Sequence, residues 1–264
     1  MRPNPVKATL AAGGIALGTS VIEFGVIGLP QIAAVAGVDF VLFDTEHNGW
    51  TSETLRPLLA VSRAVDVVPF VRVESLNYRR IGTPLDLGAM GLMVPTVESG
   101  DDARRIVEYA RYPPQGRRGA AFGVAHDDYV PGDRPTSIES ADRETLLIAL
   151  VETERGVENI DEIASVAGID IIWIGQVDLT MSLGSVGQFD HPRYKAAFQR
   201  LIDGANTHGK ALGYTVSSLD EGYELMERGF RCISYWSDVR IYQRALSTAT
   251  HDLRAAATRL VAGA

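Results

Sequence analysis

Eight short apolar runs, spread along 264 residues and alternating with helix-like stretches, constrain the fold of this chain more than any other feature. They are IALGTS from Ile15, VDFVLFD from Val38, VVPFVRV from Val67, AMGLMVP from Ala89, LLIALVE from Leu146, IDIIWIG from Ile169, ALGYTV from Ala211 and CISYWSD from Cys232. Near-continuous apolar strands separated by amphipathic helices predict a parallel sheet covered by helices. Eight such units in roughly 250 residues match the size of a closed (β/α)8 TIM barrel. The rival architecture, an open doubly wound sheet, normally carries GxGxxG, or GxxxxGK followed by Ser or Thr, after an early strand, and neither motif occurs. The expectation is one TIM-barrel domain over 1–264.

The helical segments are LPQIAAVAG, TSETLRPLLAVSRAV, SGDDARRIVEYARY, GVENIDEIASVAG, HPRYKAAFQRLIDGANTHG and LDEGYELMERG. Ser52 and Asp101 are the expected caps of two of them, and Gly37, Gly168, Gly209 and Gly229 the expected left-handed closers of four. The connection over 112–144 is too long and too rich in Gly, Pro, Arg and Asp for a simple link. A stretch of this kind reads as a lid or an interface element, with a solvated insertion as the plain alternative. After the eighth strand a helical tail at about 240–264 is expected to pack on the barrel or reach a neighbour.

Composition removes several classes of function. A net charge of -8 and a pI near 5.2 argue against nucleic acid as a partner. No run of 18 apolar residues exists, so no membrane span is expected. The single cysteine, Cys232, excludes an internal disulfide and every multi-cysteine zinc site, and within FRCISYW it reads as a buried thiol. The expected location is cytoplasmic.

In a barrel of this type the active site gathers at the carboxyl ends of the strands. The second run delivers Asp44, Glu46 and His47 there, the third Arg72 and Glu74, and the fifth Glu152, Thr153 and Glu154. The sixth delivers Gly175 and Asp178, the eighth Ser237 and Asp238. Any one of these acids, taken alone, is as readily a surface ion pair, and His47 alone reads as a hydrogen-bonded core histidine. Together, buried carboxylates at the ends of neighbouring strands repel unless a cation lies between them. Glu152 and Asp178 form an all-oxygen pair suited to a hard divalent metal, Mg²⁺, Mn²⁺ or Co²⁺, with positions left for a chelating 2-oxo acid. Arg72 adds positive charge where an enolate oxygen develops. Lys7, Lys195 and Lys210 all fall away from strand ends, so Schiff-base chemistry has no nucleophile. His47, held by Asp44 in a dyad, is the expected acid/base group.

DTEHNGW, VRVES, MVPTVESGDDARRIVEYARYPPQGRRG and ALVETERGVENIDEIASVAGIDIIWIGQVDLTMSLG together resemble the HpcH/HpaI aldolases, metal-dependent class II pyruvate aldolases, over roughly Gly18 to Gly187. The resemblance implies reversible cleavage of a 4-hydroxy-2-oxo acid to pyruvate, or a close analogue such as hydroxypyruvate, and an aldehyde through a metal-stabilised enolate. It implies Glu152 and Asp178 as metal ligands, Arg72 on the keto oxygen, His47 with Asp44 as acid/base dyad, and the amides of Val177 and Asp178 on the oxo-acid carboxylate. It further implies that Asp86, in a PLDLG turn, approaches a neighbouring subunit's site, and that the assembly is a homohexamer of exchanged dimers. Gln176 and Leu150 stand where the family commonly has proline and a polar residue, which bears on the preferred nucleophile. Aldehyde selectivity is expected from the 112–144 loop, Trp50 and the surroundings of Asp86. Two other readings are a CoA-thioester lyase of the malyl-CoA or citramalyl-CoA type, which would need the arginines of RYPPQGRRG for the CoA phosphates, and a barrel without catalysis.

Overall fold

The computed structural model describes residues 1–130 and 132–262; Pro131 of the expected long loop and the last two residues of the expected tail lie outside the described residues. The strands are β1 (Ala16–Val21), β2 (Phe40–Asp44), β3 (Val68–Arg72), β4 (Gly91–Val94), β5 (Leu146–Val151), β6 (Ile171–Ile174), β7 (Ala211–Val216) and β8 (Phe230–Ser237). All neighbours pair in parallel and β8 returns to β1, closing the barrel. Every apolar run of the sequence supplies one strand. β2, β4, β5 and β6 are buried at every position, which is why they read as unbroken apolar runs. Phe40, Phe70, Ile148 and Trp173 fill the barrel interior. Space for these rings comes from glycine: a Cβ on Gly18 would stand 2.5 Å from the Phe40 ring.

The helices are α1 (Pro5–Ala11), α2 (Leu29–Val35), α3 (Ser52–Ala64), α4 (Tyr78–Leu87), α5 (Gly100–Ala110), α6 (Arg134–Glu144), α7 (Glu154–Glu158), α8 (Ile160–Ala164), α9 (Gln176–Ser182), α10 (Pro192–Thr207), α11 (Leu219–Glu227) and α12 (Asp238–Ala262). Several expectations need correction. The caps of α3 and α5 are Thr51 and Ser99, whose side chains accept from Glu53 N and Asp102 N, in place of Ser52 and Asp101. GVENIDEIASVAG breaks at Asn159 into α7 and α8, and the Asn159 side-chain Nδ2 donates to Glu98 O at 2.8 Å. PLDLG is the last turn of helix α4 and its glycine closer, so Asp86 is helical; the Asn77 cap and buried Ile81, Pro84 and Leu85 hold this helix despite its internal proline. Gly37, Gly168, Gly209 and Gly229 do take positive φ.

The 112–144 segment is also not where a lid would be. It joins α5 to β5, so it lies at the amino ends of the strands, opposite the mouth that holds the site. Helix α6 occupies its second half, and α1 plugs the same end: Asn4 Nδ2 donates to Met90 O and Glu144 O, both at 3.0 Å, and Lys7 Nζ to Thr145 O at 2.9 Å. Among the described residues no helix is long and apolar enough to cross a membrane. Cys232 is fully buried, which pushes its thiol pKa far up.

Candidate active site

Asp44 is the last residue of β2 and pairs in register with Arg72, the last of β3. The register alone brings the two side chains together. Arg72 Nε donates to Asp44 Oδ1 at 3.0 Å and Nη2 to Oδ2 at 2.6 Å, a fork that matches a carboxylate. Burial alone would lower the Arg72 pKa, but its bonds to Asp44 and the charges of Asp44 and Glu46 outweigh that and raise it. Asp44 Oδ1 also accepts from Glu46 N at 2.9 Å, and Asn48 ties the same loop to Ile22 O and Trp50 N. The run DTEHNGW is therefore a loop folded on the side chains of its own acid and amide.

With Asp44 so engaged, it does not face the His47 ring. The imidazole Nε2 stands 3.6 Å from Glu46 Oε2, and that oxygen lies 3.3 Å from Arg72 Nη1. Burial raises the Glu46 pKa, opposed by Arg72 and His47. Glu152, just past β5, is 5% exposed and accepts from Thr96 N at 2.8 Å and Thr96 Oγ1 at 3.2 Å. Thr96 adopts φ +54°, an outlier for a β-branched residue, and that strained turn aims both donors at the acid. Burial pushes the Glu152 carboxyl up to about 7; the Thr96 amide opposes this, while the charges of Asp178 and Glu46 add to it. Gly175 makes the room: a Cβ there would lie 2.4 Å from Glu152 Oε2. Directly after it α9 begins, placing Asp178 in its first turn.

One cavity of about 570 Å³ brings together Asp44, His47, Arg72, Glu152, Gln176, Val177 and Asp178. Asp86 is not among its lining residues: it sits on α4, held by Arg118 Nη2 at 2.7 Å. No group of three or more His, Cys, Asp or Glu arranged to hold a metal occurs among the described residues. The two carboxylates nevertheless fit a divalent ion that draws its remaining oxygens from substrate and water. A buried acid whose proton affinity is raised beside a second acid, in a space cleared by glycine, is the arrangement a cation relieves.

The sequence profile of the HpcH/HpaI aldolase/citrate lyase family matches residues 28–245. The chain belongs to this family. The 5-keto-4-deoxy-D-glucarate aldolase of Citrobacter koseri is 31% identical over 92% of this chain and 93% of its own length. The crystal structure of an HpcH/HpaI aldolase from Desulfitobacterium hafniense superimposes with a TM-score of 0.89 at 28% identity, covering 94% of this chain and 96% of that one. A family protein from Burkholderia cenocepacia gives 0.89 at 29%, covering 95% and 99%.

Several charges that the strands deliver to this family member's mouth turn out to be structural. Glu74 pairs with Arg80 and Glu154 with Arg193. The Thr153 side chain caps α7. Asp238 accepts from Ile22, Glu23 and Phe24 amides and so pins the loop after β1. Trp50 lines a separate cleft with Arg79 and Arg80. The arginines of RYPPQGRRG are also spent: Arg111 on Asp142 O and Thr145 O, Arg117 on Glu108, Arg118 on Asp86. A CoA-phosphate groove built from them is thereby lost. Residues that the sequence reading passed over also line the cavity, among them Ser20, Met93, Thr215, Trp236 and Arg240. Ser20, Met93, Thr215 and Trp236 each stand one residue before the end of a strand and Arg240 in the first turn of α12, and that placement is the only sequence signal for them.

Proposed function

We propose that this family member is a metal-dependent carbon–carbon lyase that cleaves 4-hydroxy-2-oxo acids to pyruvate, or hydroxypyruvate, and an aldehyde, and also runs the reverse addition. The carrying observation is the Asp44–Arg72 fork beside Glu152, Asp178 and His47 in one cavity. Glu152 and Asp178 would hold Mg²⁺, Mn²⁺ or Co²⁺, which when bound draws electron density from the keto group. The amides of Val177 and Asp178 bind the substrate carboxylate: Leu179 N is the first in α9 to find an intrahelical acceptor, Gly175 O at 2.9 Å, so those before it point outward. Gln176, whose side chain donates to Thr215 O at 2.8 Å, borders the same end. Arg72, locked by Asp44, faces the keto oxygen where negative charge grows as the C3–C4 bond breaks. His47 accepts the C4 hydroxyl proton as the new aldehyde carbonyl forms, and the released enolate is then protonated at C3 to give pyruvate.

The test is release of pyruvate and aldehyde with Mn²⁺ or Co²⁺ present and its loss on EDTA treatment. His47→Ala should lower turnover by about 10² to 10⁴ while Mn²⁺ binding, read by calorimetry, persists. Full turnover in that variant sinks the assigned role.

The chain also reads as a homo-oligomer, with a hexamer built as a trimer of exchanged dimers as the expected form. Asp238 is the only buried residue of α12. Leu246, Leu253 and Leu260 are exposed at heptad spacing along it, and on the barrel Leu17 of β1 and Val35 of α2 are 43% and 91% exposed. A second copy's α12 covers such a face. Leu246→Asp with Leu253→Asp should dissociate the assembly in sedimentation experiments, since each buried leucine contributes about 1.5–3 kcal/mol; an unchanged mass would exclude this contact. Asp86 is proposed to approach a neighbour's site in that assembly, and the cytoplasm is the proposed location.

A further inference from the structure

Between β1 and β8 the register slips: Gly18 pairs with Ser234, but Ser20 pairs with Ser237, leaving one extra residue in β8. Trp236 lies in this bulge, and its φ of +43° is a left-handed conformation that favours glycine and is rare for a bulky side chain. Bulges beside active sites re-aim side chains, and strain of this sort persists where the surroundings over-determine it. Here two side chains pack on the indole. The Tyr235 ring stacks on it at 5.9 Å, and the Arg244 guanidinium lies 5.2 Å from its centroid.

So held, Trp236 lines two spaces. One is the catalytic cavity, the other an adjoining groove of about 720 Å³. Gln176, Val177 and Thr215 also border both. The groove beyond is walled by Phe189, Tyr194, Phe198 and Tyr214. Lys195 on its rim pairs with Asp190 at 2.9 Å and Arg228 with Glu224 at 3.8 Å, so these rim charges are compensated. Around the barrel mouth, Arg72, Glu152 and Asp178 occupy the ends of β3, β5 and β6, where the oxo acid is read to bind. The aldehyde is left the arc from β7 through β8 and β1 to His47, and Trp236 stands in it.

We infer that Trp236 sets the size of the aldehyde: its indole closes the acceptor end of the catalytic cavity against the aromatic groove, admitting short aldehydes and excluding bulky aromatic ones. The assignment rests on the aldolase reading, and the experiment separates the two. The full-length protein with Mn²⁺ is first tested for exchange of the C3 protons of pyruvate and of hydroxypyruvate with deuterium, which needs enolate formation but no aldehyde. Absence of exchange with both in the wild type removes the aldolase reading and this assignment with it. Where exchange occurs, Trp236→Gly and Trp236→Phe are compared with wild type in addition of the exchanging oxo acid to glycolaldehyde and to benzaldehyde. Trp236→Gly suits the left-handed backbone and should fold. Its benzaldehyde-to-glycolaldehyde ratio of kcat/KM should rise at least about tenfold, mostly through KM, whereas Trp236→Phe should stay near wild type. An unchanged ratio in Trp236→Gly, an equal rise in Trp236→Phe, or a folded Trp236→Gly that has lost exchange overturns the inference.

Discussion

Glu152→Gln should abolish cleavage while leaving the metal-free protein more stable than wild type at pH 8. Burial holds the Glu152 carboxyl up at about 7, against an ordinary value of 4.5. A carboxyl whose folded pKa is raised gives stability that is fully present below about 4.5 and is lost as pH rises through about 7. The amount at stake for this buried group is on the order of 3 kcal/mol. Melting of the metal-free wild type should therefore drop across that window, and that of Glu152→Gln should drop less. The glutamine oxygen still accepts from Thr96 N, so the strained Thr96 turn keeps its partner. Added Mn²⁺ should raise the wild-type melting temperature at pH 8 and leave the variant unmoved. Turnover should fall by about 10³ or more, because the proposed metal's contribution of several kcal/mol goes with the ligand proposed for it. A variant that still binds Mn²⁺ and turns over places the ion elsewhere.

The barrel was legible because its strands are buried on both faces, so Phe40 to Phe43, Leu146 to Val151 and Ile171 to Ile174 read as apolar runs without interruption. Helix α4 was not: Gly82, Thr83 and Pro84 all have weak helical propensity, and tertiary burial of Ile81 and Leu85 overrides it. The position of 112–144 follows from connectivity, since a segment between a helix and the next strand reaches the amino ends, whereas length and composition read equally as a lid or an interface element. At the site, residue types at strand ends pointed to the acids and Arg72 as candidates, and Asp44, Arg72, Glu152 and Asp178 do line one cavity. Pairing was a different matter. His47 lies three residues from Asp44 and Arg72 twenty-eight, yet strand register makes Arg72 the neighbour. The β8 bulge leaves no trace in sequence, because any residue types can occupy a strand end; it took the register slip and the φ of Trp236 to expose it.

Arg72→Ala should damage stability and catalysis together, and a second substitution should separate the two effects. Asp44 is 1% exposed and both its oxygens accept from the Arg72 fork. Removing the guanidinium leaves a buried carboxylate without its counter-ion, a loss of about 3–5 kcal/mol. Turnover should fall by about 10² to 10³ as the keto oxygen loses the charged donor proposed for it. Arg72→Lys should rescue little, because a single ammonium cannot make the fork that holds both Asp44 oxygens while facing the substrate. Asp44→Asn combined with Arg72→Ala removes the stranded charge, so denaturant midpoints should recover most of the lost stability while activity stays low. With Asp44→Asn alone as the remaining corner, the cycle measures the pair's coupling. If the double variant is as unstable as Arg72→Ala, the fork is not what orders the end of β2. If it regains activity, Arg72 serves only to hold Asp44, and the keto oxygen must be met by another group.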